Sequence, residues 1–151
     1  MKIQNKNVVV TGAAGGIGSA LCRALAAGGA NVVVSDLNLE AAQALAGEID
    51  GHAVQCDVSQ AANIDALIEQ AEAAAGQIDI FVSNAGFGVG EPSHAASADD
   101  SVWQKNWELH VMAHVWAARN LLPKMIERGD GYLINVASAA GLLVQIGDAA
   151  Y

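Results

Sequence analysis

The sequence predicts an α/β fold in which helices cover both faces of a doubly wound parallel sheet. Two observations lead to this prediction. Five apolar segments of strand length alternate along the chain with segments whose apolar residues recur at helical spacing. The connections between these segments are short, which favours right-handed crossovers between parallel strands. With a reversal after the third strand, the alternation gives the strand order 3-2-1-4-5.

The first predicted strand, Val8 to Thr11, is joined by a glycine-rich turn to a helix from about Ile17 to Ala27. Four of the seven residues from 12 to 18 are glycine, so the backbone can adopt positive φ angles and a ligand can approach it closely. The N-terminus of the helix, with its unpaired N–H groups and positive dipole end, suits a pyrophosphate. A tight turn that binds no ligand is the alternative for this pattern taken alone.

The second predicted strand, Val32 to Asp36, supplies the context that favours a nucleotide site. It ends in a carboxylate, 18 residues after Gly18. A carboxylate at this point can accept hydrogen bonds from both hydroxyls of an adenosine ribose. Asn38 is better placed than Asp36 to cap the next helix, and we therefore assign Asp36 to ribose binding.

The remaining elements continue the alternation. They are a helix capped by Asn38 and closed by Gly51, a strand from His52 to Cys56, a helix capped by Ser59 and stopped by Gly76, a strand from Ile78 to Ser83, a long helix from about Asp100 to Glu127, and a fifth strand from Gly131 to Val136. Because the carboxyl ends of parallel strands share one edge, five polar residues are expected on a single rim: Thr11, Asp36, Asp57, Asn84 and Ser138.

The long helix is apolar on two sides. One stripe contains Trp103, Trp107, Val111, His114 and Ala118, and the opposite side contains Leu109, Ala113, Trp116, Leu121 and Leu122. A helix on one face of a sheet needs one apolar stripe, so the second predicts a further partner, either another helix of the chain or another subunit.

Composition excludes several classes of function. The net charge is −9 and there is no basic cluster, which argues against a nucleic-acid or anionic-membrane partner. The apolar runs are too short to cross a bilayer, and no signal peptide is evident. Cys22 and Cys56 lack disulfide or metal spacing, so we expect a cytoplasmic protein. His110 and His114 have the i, i+4 spacing of a metal pair, but no third ligand is evident, and we expect no metal.

These motifs together resemble the short-chain dehydrogenase/reductase family over the whole chain. The stretch from Thr11 to Gly18 is similar to its TGxxxGxG loop, and Ser83-Asn84-Ala85-Gly86 to its NNAG motif, with serine in place of the first asparagine. The resemblance implies a Rossmann-like fold and NAD as the cofactor, because Asp36 would repel the 2′-phosphate of NADP. It implies that NAD contacts Thr11, Gly12, Ala14, Gly15, Gly16, Ile17, Gly18, Asp36, Asp57, Val58, Asn84, Ala85 and Gly86.

The resemblance also implies an oxidoreductase that interconverts a secondary alcohol and a ketone by hydride transfer. Ser138 matches the serine that orients the substrate oxygen, and Tyr151, 13 residues later, matches the tyrosine that acts as general acid and base. His110 stands where the family has an asparagine and is a candidate for a proton relay through water. The implied partners are a small alcohol or ketone and further copies of the chain, bound through the long helix, residues 100–127.

The family's YxxxK motif places a lysine four residues after the tyrosine, and that position lies beyond Tyr151. We therefore expect residues 1–151 to be a single NAD-binding domain from a longer enzyme, lacking the family's C-terminal strands and helices and inactive alone. A non-catalytic NAD-binding module, or an inactive fragment, is the alternative. An S-adenosylmethionine methyltransferase is a more distant one, since it gives Ser138, Tyr151 and the Asn84-Ala85-Gly86 motif no role.

Overall fold

A computed structural model describes residues 2–88, 98–142 and 150–151. Its five parallel strands have the order β3-β2-β1-β4-β5, which confirms the predicted topology. The strands are β1 (Asn7–Thr11), β2 (Asn31–Asp36), β3 (His52–Gln55), β4 (Ile80–Ser83) and β5 (Tyr132–Asn135). Alternate valines of β1 face opposite sides of the sheet, and all three are fully buried, which explains why this strand is apolar without interruption.

The helices lie on both faces of the sheet. They are α1 (Gly16–Ala27), α2 (Leu39–Ile49), α3 (Ala61–Ala75), α4 (Asp100–Trp107) and α5 (Ala113–Arg128). The helices α1 and α2 cover one face, and α3 and α5 cover the other. The predicted long helix is therefore present and ends one residue later than expected. It is interrupted by a π-helical segment, Glu108–Met112, that the sequence analysis did not anticipate.

Two of the predicted helix starts are tested by hydrogen bonds. Asn38 caps α2 as predicted, because its Oδ1 accepts a hydrogen bond from the Ala41 N–H at 3.1 Å. The prediction that Ser59 caps α3 is wrong. Its hydroxyl donates to Asp57 Oδ1 at 2.7 Å, and the N-cap position is held by Gln60 without a side-chain bond.

Residues of α4, the π segment and α5 are buried on one side and exposed on the other. The buried side contains Asn106, Leu109, Ala113, Ala117, Leu121 and Met125. The other side exposes Trp103, Trp107, Val111, Leu122 and Ile126. Leu122 thus faces away from the core, contrary to the predicted stripe, whereas the existence of a second apolar side is confirmed.

The strand β5 forms one edge of the five-stranded sheet, and it carries exposed apolar side chains such as Tyr132 and Ile134. Within the described parts of the chain, no helix has both the length and the apolar character required to cross a membrane.

Candidate cofactor and active site

A cavity of about 870 Å³ opens at the carboxyl edge of the sheet, where polar residues were predicted to gather. Its volume lies within the range of ligand pockets. All of the predicted cofactor residues except Thr11 line it, and they come from the β1–α1 turn and from the segments after β2, β3 and β4. The other lining residues are Leu37, Asn38, Ala41, Cys56, Ser59, Phe87, Lys105, Leu109 and Val136.

The glycines of the β1–α1 turn differ in what surrounds them. Gly12 has a φ of +60°, and a Cβ there would lie 2.6 Å from the Ala85 Cα. A Cβ on Gly18 would lie 2.7 Å from the Ala13 Cα and would also meet the Gly12 carbonyl oxygen. A Cβ on Gly16 would meet no heavy atom within 4 Å. The protein itself therefore requires Gly12 and Gly18, whereas the space at Gly16 is open to a ligand.

Thr11 stabilises this turn through hydrogen bonds inside the protein. Its buried hydroxyl accepts hydrogen bonds from the backbone N–H groups of Asn84, at 3.0 Å, and Ala85, at 3.1 Å. The Asn84 amide in turn donates to the carbonyl oxygens of Thr11, at 2.9 Å, and Gly12, at 3.2 Å. Thr11 and Asn84 thus hold the β1–α1 turn against the segment after β4, and Thr11 itself does not line the cavity.

Asp36 lies at the end of β2 with its carboxylate at the cavity wall. One oxygen accepts from the Ala14 N–H at 2.9 Å, and the other accepts from the Asn38 N–H at 3.0 Å. Each carboxylate oxygen can accept more than one hydrogen bond, so Asp36 keeps acceptor capacity for a ligand. Since Asn38 caps α2, Asp36 is left to face the cavity, as predicted.

The residues after β3 form the adjoining wall. Asp57 Oδ1 accepts from both the N–H and the hydroxyl of Ser59. Cys56 also lines the cavity, but burial raises the pKa of its thiol to about 12. Cys56 is therefore a neutral thiol near pH 7 and is not a nucleophile. Among the described residues, no group of three or more potential metal ligands comes together.

His110 lies in the π segment beside Gly86 and Phe87, which line the cavity, but His110 itself is not among the lining residues. Its Nε2 accepts a hydrogen bond from the Phe87 N–H at 3.4 Å, so the neutral ring carries its proton on Nδ1. Nδ1 is buried and has no hydrogen-bond partner in the described structure. Burial and the neighbouring His114 lower the pKa of His110, which keeps the imidazole neutral at pH 7.

Tyr151 contacts this histidine. The two rings meet edge to face, with their centroids 5.0 Å apart and their planes at 87°. The structure thus brings together two of the three predicted catalytic residues, which are 41 positions apart in the sequence.

Ser138, the third predicted catalytic residue, follows β5 on the same edge of the sheet. Its hydroxyl is exposed and accepts from the Ala140 N–H at 3.1 Å. In the described structure no hydrogen bond joins Ser138 to Tyr151 or His110. Val136, two residues earlier, lines the cavity, which brings this segment to its wall.

Lys105 and Phe87 were not among the predicted site residues. Lys105 reaches the cavity from α4, and its Nζ lies 5.2 Å from the centre of the Phe87 ring. The sequence contained no signal that singled out Lys105, because α4 also carries the polar residues Asp100, Gln104 and Asn106. Its position over the cavity depends on how α4 packs, which the sequence pattern does not give.

A family model described as short chain dehydrogenase matches residues 6–151. D-threitol dehydrogenase of Mycolicibacterium smegmatis is 34% identical over 144 residues, which cover 92% of this chain and 55% of that enzyme.

Two solved structures superpose with a TM-score of 0.90, and the match covers 99% of this chain in each case. One is a 7α-hydroxysteroid dehydrogenase complexed with NADH and 7-oxo glycochenodeoxycholic acid, 30% identical and 60% covered. The other is a 3-ketoacyl-(acyl-carrier-protein) reductase from Brucella melitensis complexed with NADH, 31% identical and 64% covered. The chain therefore spans between half and two thirds of the length of these proteins.

Proposed function

The chain belongs to the short-chain dehydrogenase family, and from that premise we propose that it forms the cofactor-binding part of an NAD(H)-dependent oxidoreductase. The complete protein would interconvert a secondary alcohol and a ketone. The observation that carries this proposal is the cavity, which is lined by the glycine turn, Asp36, Asp57 and the segment after β4. The NADH present in both similar structures supports the choice of a nicotinamide cofactor.

The cavity suits a dinucleotide along its whole length. Gly16, at the start of α1, offers open space and helix N–H groups to the diphosphate. Asp36 would accept from the adenosine ribose, and Asp57 with Val58 would hold the adenine. Asn84, Ala85 and Gly86 would lie against the nicotinamide side, because β4 is on the opposite side of β1 from β2 and β3.

NAD is proposed rather than NADP because the ribose end of the cavity is acidic. A 2′-phosphate beside Asp36 would be repelled, and the lining residues nearby, Leu37, Asn38 and Ala41, carry no positive charge. The one cation in the described lining, Lys105, comes from α4 together with the Phe87 side of the cavity.

When bound, the nicotinamide ring supplies hydride chemistry, and the residues of the chain handle the oxygen and the proton. Ser138 would donate a hydrogen bond to the substrate oxygen, and Tyr151 would exchange the hydroxyl proton. His110 would orient the Tyr151 ring through their edge-to-face contact. Its Nδ1, which lacks a partner in the described structure, would hold the water of a proton relay.

Tyr151 needs a neighbouring cation to act as a base, since an unperturbed phenol has a pKa of about 10. The family's lysine stands four residues after this tyrosine, a position beyond residues 1–151. Catalysis is therefore proposed for the complete protein. A protein without that lysine would be the non-catalytic NAD-binding module.

The exposed apolar residues of α4 and α5, such as Trp103, Trp107 and Ile126, would pack against further elements of the complete protein or against a second subunit. The complete protein is accordingly proposed to be a homo-oligomer.

The test uses the complete protein and separates binding from turnover. Titration with NADH and NADPH should show tighter binding of NADH, and Asp36→Ala should reduce that difference. Ser138→Ala and Tyr151→Phe should lose turnover of secondary alcohols while keeping NADH affinity. Binding of neither dinucleotide would refute the proposal, and binding with unchanged turnover in both variants would remove these two residues from the active site.

A further inference from the structure

We propose that His110 is a positioning residue for the cofactor, and that it holds the cavity wall after β4 in place only while its imidazole is neutral. The inference rests on the proposed function, because it assumes that the cavity binds a nicotinamide dinucleotide. It goes beyond the proton relay, since it concerns the affinity for the cofactor and depends on a titratable side chain at this position.

The imidazole of His110 contacts two residues of the segment after β4. Its Nε2 accepts a hydrogen bond from the Phe87 N–H at 3.4 Å. A Cβ on Gly86 would lie 3.5 Å from the same nitrogen, which is ordinary van der Waals contact. Gly86 and Phe87 both line the cavity, whereas His110 is not among the described lining residues. His110 would therefore act on a bound cofactor through these two residues.

Protonation of His110 removes the hydrogen bond to Phe87. A neutral imidazole has one donor nitrogen and one acceptor nitrogen, whereas the imidazolium has two donors. Because Nε2 faces the Phe87 N–H, the added proton would place two donors opposite each other. The two groups must then separate, either because Phe87 moves or because the imidazole rotates. In both cases Gly86 and Phe87 lose the side chain that holds them at the cavity.

The groups around His110 favour its neutral form. On the same helical region His114, together with burial, lowers the pKa of His110. From α4, the Lys105 ammonium lies 5.2 Å from the centre of the Phe87 ring, so an imidazolium would be a second cation beside this residue. The Tyr151 ring packs edge to face against the imidazole. Residues 84–88, which follow β4, carry no charge.

One carboxylate lies in the same π segment, on Glu108. It accepts a hydrogen bond from the Gln104 side chain at 2.8 Å. Within the part of the chain that the structure describes, His110 forms no ion pair with a carboxylate. The imidazolium therefore gains no described partner in exchange for the hydrogen bond that it loses.

Binding of the cofactor and protonation of His110 are coupled as a result. The affinity for the dinucleotide is highest above the pKa of His110 and falls as the pH decreases through it, because the protonated protein binds more weakly. Since this pKa lies below its ordinary value of 6.5, the fall occurs below pH 6.5. By the same coupling, binding of the dinucleotide releases a proton in this range.

The experiment measures the dissociation constant of NAD⁺ for the complete protein at pH 7.5 and pH 5 by titration calorimetry. NAD⁺ is the probe because the reduced cofactor decomposes in acid. The affinity of the wild-type protein should be about two- to tenfold lower at pH 5, which corresponds to the loss of one hydrogen bond. His110→Gln keeps an acceptor that is not protonated at either pH, and its affinity should change by less than about twofold. His110→Leu has no acceptor and should bind about two- to tenfold more weakly than the wild-type protein at pH 7.5.

Two other histidines provide the matched controls. His114→Gln removes the neighbouring imidazole, and His52→Gln removes one that is exposed on β3. Both variants should keep the pH dependence of the wild-type protein. Any contribution from the carboxylates of Asp36 and Asp57 is common to all variants and cancels in the comparison with His110→Gln.

The outcomes separate the inference from the proposed function. A fall in affinity of equal size in the wild-type protein and in His110→Gln would overturn the inference, as would equal affinity of the wild-type protein at both pH values. Failure of the wild-type protein to bind NAD⁺ at pH 7.5 would instead refute the proposed function. Should the variants not fold, titration of the wild-type protein at pH 5.5 in two buffers of different ionisation enthalpy counts the protons released, and a count of zero would overturn the inference.

Discussion

At the scale of single residues, glycine has two different roles in the turn between β1 and α1. Gly18 lies within α1 where a side chain would run into the turn itself, at the Gly12 carbonyl and the Ala13 Cα. Gly16 is the first residue of α1 and faces open space. The fold therefore requires Gly18, whereas the space at Gly16 is open, although both glycines belong to one sequence motif.

This difference predicts opposite outcomes for two equivalent substitutions. Gly18→Ala should lower the free energy of unfolding by about 1–3 kcal/mol, since the methyl group must displace backbone atoms. Gly16→Ala should change it by less than about 1 kcal/mol, in the direction of greater stability, because alanine favours the helix. Gly16→Ala should nevertheless weaken NADH binding by crowding the diphosphate. Urea unfolding and NADH titration of the two variants check these expectations. An equal loss of stability in both variants would show that the fold requires glycine at positions 16 and 18 to the same extent.

The sequence predicted those site residues whose positions follow from the strand they terminate. A polar residue at the end of a parallel strand must lie on the carboxyl edge, and this rule correctly placed Asp36, Asp57 and Asn84 at the cavity. It did not reach Phe87 or Lys105, because their positions depend on how the segment after β4 and the helix α4 pack over the sheet. Ser59 was misassigned for a similar reason. Its hydroxyl donates to Asp57 Oδ1 and does not accept from an N–H group in the first turn of α3.

At the scale of elements, the helical region from α4 to α5 is shaped by its π segment. The wider turn occupies Glu108–Met112, with His110 at its centre. Such segments recur at functional sites because they insert one extra residue and redirect the side chains around it. Apolar periodicity averages over several turns, so the sequence predicted the length of this helix but not the insertion.

Two histidines of this region predict a dependence of stability on pH. Burial lowers the pKa of both His110 and His114 in the folded protein. The unfolded chain then binds more protons near pH 6.5, and the free energy of unfolding should fall as the pH decreases through and below that value. At higher pH both rings are neutral in either state, and this dependence disappears.

The check is chemical denaturation at pH 7.5 and pH 5. His110→Asn and His114→Gln should each lose less stability between these two values than the wild-type protein, since each removes one buried imidazole. His52→Gln is the matched control, because His52 is exposed on β3. Equal losses in the wild-type protein and in both variants would show that neither histidine contributes.

At the scale of the whole molecule, the two edges of the sheet have different tasks. The cavity lies at the carboxyl ends of the strands. At their amino ends, ion pairs and hydrogen bonds of charged side chains join the starts of β1, β4 and β5. Lys6 bridges Asp79, at 3.2 Å, and Asp130, at 2.7 Å. The second Asp79 oxygen accepts from the Asn7 N–H at 2.9 Å. Arg128 also donates to the Ile78 and Asp130 carbonyl oxygens.

The topology could be predicted from the sequence because three of the four crossovers join strands that are neighbours in the sheet, and the fourth, from β3 to β4, is the reversal typical of a doubly wound sheet. The ion pairs of Lys6 at the amino ends of the strands could not be predicted, since Lys6 is separated by 73 residues from Asp79 and by 124 from Asp130. Nothing in the local pattern distinguishes these charges from solvated ones. Their pairing is a consequence of the strand order, which brings the starts of distant strands together.

This separation of tasks predicts that stability can be lowered at one edge without loss of binding at the other. The Asp79 side chain is 15% exposed and holds two donors, so Asp79→Ala should cost about 1–3 kcal/mol of unfolding free energy. The Asp130 side chain is 51% exposed, and Asp130→Ala should lower the free energy of unfolding by less than Asp79→Ala does, because solvent screens an exposed ion pair. Thermal unfolding measures both changes, and NADH titration well below the transition should give the wild-type affinity in each variant. Weaker NADH binding by folded Asp79→Ala would mean that the starts of the strands influence the cavity at their far ends, and that the sheet does not isolate its two edges.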